Sequence, residues 1–236
     1  LIGTSDNRAM RYVGPRQIVI DGNPAPVPFW EPDRAFEGLT VYIIGGGPSH
    51  AAIDLDAMRG ERFIAVNSGC RKVRPIATEA DMIYFHDNSW NENRPQLAAD
   101  WPGPVVTPNR NTKARLGDAV RRLDIFKLTG AMHAMPDHVQ ASSGHSAACL
   151  AAIMGAARVV LIGFEARLID GRSHGHDDYT QHDVPAFDGR YIPGWRGLVP
   201  AFERMGVDLL NATPDSAIDF LPWAYDEMER LLTCRR

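Results

Sequence analysis

Residues 171–183, GRSHGHDDYTQHD, place His174, His176 and His182 among Asp177, Asp178 and Asp183. An H-x-H-D spacing is compatible with a divalent metal site, because imidazole and carboxylate both ligate such ions. The spacing matches no closed structural zinc set, and the sequence shows no second cluster to complete one. A metal is therefore compatible with the chain but not required by it. The same loop suits a general base, since the unperturbed pKa of histidine lies near neutrality. A solvated polar loop is the third reading. Tyr179, Tyr191 and Trp195 flank the segment and suit stacking on a sugar or a base.

A second stretch with chemical potential is YIIGGGPSHAA, residues 42–52. An apolar run enters Gly45, Gly46 and Gly47, then Pro48 and Ser49. Glycine permits close backbone approach, and proline at a first helical position presets φ. A helix starting there would turn free N–H groups toward an anion. No G-x-x-x-x-G-K-[ST] pattern follows, which argues against a P-loop nucleotidase. The G-x-G-x-x-G dinucleotide fingerprint is also incomplete, and the second strand closes on Asn67 rather than on an acid.

The elements that position these residues alternate. Buried-strand patterns occur at LTVYIIGG, RFIAVNSG, ADMIYFHD, GPVVTPN, RVVLIGFE and VDLLNATP. Between them the sequence predicts helices over 49–59, over 113–123, across SSGHSAACLAAIMGAA, across GWRGLVPAFERMG with Pro200 inside, and across LPWAYDEMERLL. Such alternation predicts an α/β, Rossmann-like single domain, with a mostly parallel sheet and helices on both faces. Residues 1–38 are rich in Pro and Gly and read as an N-terminal arm with one short edge strand at 18–20. Residues 39–236 read as the nucleotide-binding catalytic domain. A long loop at 166–194 interrupts the rhythm and is a candidate lid.

In open parallel sheets, ligands sit beyond the carboxyl ends of the strands. Those ends carry Gly45–Ser49, Asn67 and Ser68, His86 and Asp87, Thr107, Glu165, and Asn211 with Thr213. Ser142, Ser143 and Gly144 open the small-residue helix and form a second donor-rich terminus. Two such termini around one crevice suit a nucleotide.

The bulk composition narrows the class. The chain has 236 residues and a formal net charge of −4, so no global basic signature marks a nucleic-acid binder. Its three cysteines are widely spaced and form no C-x-x-C pair, which fits a reducing, cytoplasmic setting. No apolar run is long enough to cross a bilayer. Homo-oligomerisation is left open.

VYIIGGGPS followed by FIAVNSG resembles the opening of bacterial sialyltransferases of the Campylobacter type. SSGHSAACLAAIMGAARVVLIGFE and VDLLNATPDSAIDFLP are similar to their S-S-G helix with its following strand, and to their closing strand and turn. The outline also resembles the 6-hydroxymethylpterin diphosphokinase-like family. Tailed-phage and prophage proteins share a similar GR-[ST]-H loop. The resemblance spans about residues 39–222. It implies a glycosyltransferase with a nucleotide-sugar co-substrate and no tightly bound cofactor. Gly45, Gly46, Gly47, Pro48, Ser49, Asn67, Ser68, Ser142, Ser143 and Gly144 would hold the donor. His174, His176, His182 or Asp87 would deprotonate the acceptor, a glycan hydroxyl or a modified DNA base. The alternative activities are phosphotransfer to a pterin-like alcohol and non-catalytic nucleotide binding. This chain departs from the sialyltransferase pattern at Gly46, where that family carries asparagine.

Overall fold

The computed structural model describes residues 10–14, 17–20, 23–26, 29–87, 90, 93, 95–108, 120–178 and 184–232. Seven parallel strands make the main sheet: β4 (Thr40–Ile44), β5 (Arg62–Val66), β6 (Met82–Tyr84), β7 (Val105–Thr107), β8 (Val120–Arg122), β9 (Arg158–Ile162) and β10 (Asp208–Asn211). Their order across the sheet is β10-β9-β4-β5-β6-β7-β8. The chain therefore winds outward from β4 to β8, then returns to the other side of β4 to lay down β9 and β10.

The strands are nearly continuous apolar runs because both faces are covered. Alternation along them assigns side chains to two cores. Val41, Ile43, Ile64, Val159 and Leu161 lie in one core. Tyr42, Ile44, Phe63, Val160 and Ile162 lie in the other. The first core is closed by α3 (Ile125–Met132), α5 (Ser143–Ile153) and α6 (Ile192–Met205); the short α4 (Pro136–Val139) fits among them. The second is closed by α1 (Cys70–Val73), α2 (Pro95–Ala99), α7 (Tyr225–Leu231) and the indoles of Trp90 and Trp101. Helix α5 is buried from Ser143 to Ala152, which its run of Ala, Ser and Gly permits by letting the backbone approach the sheet.

Three expectations are corrected. Residues 49–59 are not an α-helix: one 3₁₀ turn, Pro48–Ala52, is followed by turns. The Asp54 carboxylate accepts the N–H groups of Asp56 and Ala57, an arrangement that competes with helix. Val120–Arg122 is the edge strand β8 rather than the end of a helix, with Val120 opposite Val105; residues 113–119 lie outside those described. In the first 38 residues there is not one strand but a three-stranded antiparallel sheet of β1 (Met10–Gly14), β2 (Gln17–Ile20) and β3 (Asn23–Pro26).

Candidate functional site

The sheet order reverses between β4 and β9, so the loops leaving these neighbours diverge there and open a crevice. A cavity of about 310 Å³ occupies it. Its walls include Gly45–Gly47 after β4, Asn67 and Ser68 after β5, His86 and Asp87 after β6, and Phe164 and Glu165 after β9. Ser142, Ser143 and Gly144 at the start of α5 line it too, as do His174 and His176. Pro48 and Ser49 stand behind the turn and do not line the cavity. His182 lies outside the described residues.

The glycine turn is built differently from a phosphate cradle. The Gly45 N–H donates to Ile162 O at 2.8 Å and the Gly47 N–H to Gly163 O at 3.0 Å, so both continue the sheet ladder. The Ser49 N–H donates to Glu165 Oε1 at 2.5 Å. A buried carboxylate thus already holds the position expected for an external anion. No positive φ accompanies any of the three glycines; each is demanded by close approach instead. A Cβ on Gly45 would crowd Gly163 and Phe164, one on Gly47 would crowd Glu165 and Gly163, and one on Gly46 would lie 2.6 Å from His176 Nε2.

Glu165 is 2 % exposed, and burial pushes its carboxyl pKa above the ordinary value. Its Oε2 and the Asn67 Oδ1 are buried without a hydrogen-bond partner among the described residues. Asn67 holds φ at 50°, a left-handed conformation that asparagine tolerates better than most residues.

At the start of α5 the proton inventory is fixed. The backbone carbonyl of Tyr191 can only accept, so His145 Nε2 donates to it at 2.9 Å. In the neutral ring Nδ1 is then an acceptor, and the Ser142 hydroxyl donates to it at 2.7 Å. Ser142 Oγ also accepts the Gly144 N–H at 3.2 Å as the helix cap. His145 is fully buried and stacked on Trp195 at 4.1 Å between ring centres; burial lowers its pKa to about 3. The Ser143 hydroxyl accepts the backbone N–H of His86 at 3.1 Å, tying α5 to the end of β6.

Loop 171–178 is tied down at several points. Gly175 N–H donates to Gly46 O at 2.9 Å. The rings of His174 and His176 stack at 5.2 Å. Asp178 accepts from Arg71 Nε and Nη2 at 2.8 and 3.0 Å, and from the Ser68 hydroxyl, which in turn accepts the Trp90 indole N–H at 2.9 Å. Ser68 therefore serves to anchor the loop as well as to line the cavity. Among the described residues no three His, Cys, Asp or Glu side chains group to hold a metal ion.

Four contributors were not singled out in the sequence. His145 had a usable signal, its S-x-x-H spacing one helical turn from Ser142. Arg190, the one lysine or arginine among the described lining residues, had none, because it reaches the cavity from the wide turn Phe187–Tyr191 that precedes α6. Gln140 and Phe187 complete the wall on that side. His86 is moved below the ordinary histidine pKa, chiefly by burial, with Asp87 opposing the shift.

No family model matches the chain, and no curated protein matches it. Solved structures do. One is the sialyltransferase CstII from Campylobacter jejuni in complex with cytidine-5'-monophosphate: TM-score 0.52, 16% identity, covering 80% of this chain and 86% of that one. A second is the sialyltransferase CST-II in complex with a trisaccharide acceptor and CMP: TM-score 0.50, 15% identity, covering 78% of this chain and 86% of that one. The α/β, Rossmann-like architecture with its seven parallel strands is thus a fold that this chain shares with those sialyltransferase structures.

Proposed function

We propose that this chain is a glycosyltransferase that uses a nucleotide-activated sugar. The observation that carries the reading is the convergence, in one switch-point cavity, of the glycine turn, Asn67, the start of α5 and the histidine loop. The neighbours of the same fold were solved with CMP, and one of them with a trisaccharide acceptor as well. A volume of about 310 Å³ is at the lower end of small-molecule sites and suits a mononucleotide portion.

The roles follow from the chemistry of the walls. The Gly45 and Gly47 N–H groups are engaged internally, so of the glycine turn only the Gly46 N–H is left to meet the donor phosphate, whose charge is matched by Arg190 with help from His176 of loop 171–178. Ser142 donates its proton to His145 and presents only acceptor capacity, which suits a ligand hydroxyl or amine. Displacement at the anomeric carbon expels the nucleotide phosphate, whose charge these groups stabilise. The acceptor hydroxyl loses its proton to His174 or to the adjacent His86–Asp87 pair. His86 is suited to this because burial lowers its pKa and so favours the neutral, proton-accepting ring. The acceptor is a hydroxyl of a glycan or of a modified DNA base; the second suits a phage-encoded enzyme.

A thermal-shift panel of CMP-, UDP-, GDP- and dTDP-sugars tests the reading, followed by transfer assays with glycan and hydroxymethylated-DNA acceptors. Stabilisation by one nucleotide-sugar with acceptor-dependent nucleotide release supports it. Stabilisation by ATP with Mg²⁺ alone would favour phosphotransfer, and no response to any nucleotide would sink it.

A further inference from the structure

Gly46 is a glycine for an unusual reason. Its φ lies outside the left-handed region, so its backbone would accept any residue. What excludes a side chain is the imidazole of His176, whose Nε2 lies 2.6 Å from where a Cβ would stand. The two positions are also joined through the backbone by the Gly175 N–H to Gly46 O bond. Gly175 is itself confined, since a Cβ there would lie 2.6 Å from His50 Cε1. The ring orientation is set from within the loop: the Asp178 N–H donates to His176 Nδ1 at 3.2 Å. A neutral ring so held carries its proton on Nε2. It therefore turns an N–H edge, not a lone pair, toward Gly46 and the cavity that both residues line. This is the wrong edge for a resting general base and the right one for meeting an anionic oxygen.

We propose that Gly46 and His176 are one unit. The imidazole of loop 171–178 takes the place that a side chain at position 46 would fill, so the fit of the donor's phosphate is set from the loop rather than from the turn. Asp178, clamped by Arg71 and Ser68, is the residue that holds this wall in position. The identity of the ligand rests on the glycosyltransferase reading; the pairing itself does not.

The experiment uses Gly46→Ala, His176→Ala and the double variant in the full chain. The Gly175 amide exchange rate is read by NMR without ligand, and CMP affinity by calorimetry. Unchanged α5 amide shifts verify that each variant folds. The pairing predicts at least tenfold faster Gly175 exchange in Gly46→Ala, returning to within threefold of wild type when His176→Ala is added. It also predicts CMP affinity at least tenfold weaker in all three variants, because the imidazole is displaced or absent in each. Gly175 exchange and CMP affinity both within twofold of wild type in Gly46→Ala would overturn the proposal. So would a double variant no better protected than the single one. If wild type binds no CMP while the exchange pattern appears as expected, the pairing stands and the donor assignment is what fails.

Discussion

Alanine at Gly47 is the most direct challenge to the view that the glycine turn is shaped by internal contacts. Its Cβ would lie 2.7 Å from Gly163 O and 2.8 Å from Glu165 Cδ, with Oε2 nearer still. Neither neighbour can yield cheaply. Gly163 O accepts the Gly47 N–H at 3.0 Å, and the carboxylate is pinned by the Ser49 N–H. Overpacking of this kind costs about 1–3 kcal/mol. Displacing the carboxylate forfeits a charge-assisted bond worth about 1.5–3 kcal/mol. The two together come to about 2.5–6 kcal/mol, and at about 2–4 °C per kcal/mol for a chain of this size the midpoint falls by about 5–24 °C. Gly130→Ala is the control. Gly130 sits inside α3 with nothing within 4 Å of its Cβ position, so alanine there gains about 0.5–1 kcal/mol of helix propensity. Calorimetry of the ligand-free protein should thus show the same substitution acting with opposite sign at the two sites. A Gly47→Ala midpoint within about 2 °C of wild type would refute the reasoning, because a turn kept open only for ligand would tolerate alanine in the free protein.

Other outcomes follow from the buried titrating groups and from Arg190. Glu165 has a raised folded pKa, so its protonated form contributes stability that is complete below the unfolded value of 4.5 and is lost as pH rises through the folded value. Glu165→Gln should therefore gain in melting temperature relative to wild type from pH 4 to 8; a pH-independent difference would contradict this. His145 has a lowered pKa, so the stability it contributes is complete above about 6.5 and is lost as pH falls toward about 3. His145→Gln should flatten the decline of melting temperature between pH 6.5 and 4, and an unchanged slope would count against the neutral buried ring. Arg190→Ala should weaken nucleotide binding about tenfold and reduce its salt dependence, as expected for a lost cation–phosphate contact; calorimetry at two ionic strengths decides. With His86 as the base, activity should be level near pH 7 and fall only on the acid side of the ordinary histidine range, and His86→Ala should remove that limb.

Much of this architecture could be read from apolar runs ending in glycine or polar residues, because strands buried on both faces leave that signature. β8 escaped for the opposite reason. It is a three-residue edge strand whose side chains, Val120, Arg121 and Arg122, are only half-buried, so no apolar run marks it. Residues 49–59 have side chains that permit a helix, but the Asp54 carboxylate takes up the N–H groups of Asp56 and Ala57 and turns form instead. In the cavity, the residues visible beforehand lay at strand ends, a position that topology makes concave, at the start of α5 and in the histidine loop. Arg190 was not among them, since it reaches the cavity from the turn Phe187–Tyr191, which no local spacing marks; the stacking of His145 on Trp195 joins α5 to α6 through packing that only the fold brings about. The purpose of the three glycines was also invisible: Glu165 lies 116 residues from Ser49, and only the fold brings them together.

The return of the chain to the far side of β4 has a bearing on how this protein is made. During synthesis, β4 through β8 can pair in order as they emerge, each beside its predecessor. The other edge of β4 must wait more than a hundred residues for Arg158–Ile162. Until then a nascent molecule carries an exposed, apolar strand edge in its middle, the kind of surface that recruits another chain. Its slowest step should be the docking of β9. Because that event also seats Glu165 against the Ser49 N–H behind the glycine turn, this part of the cavity wall forms as the open edge of β4 is covered.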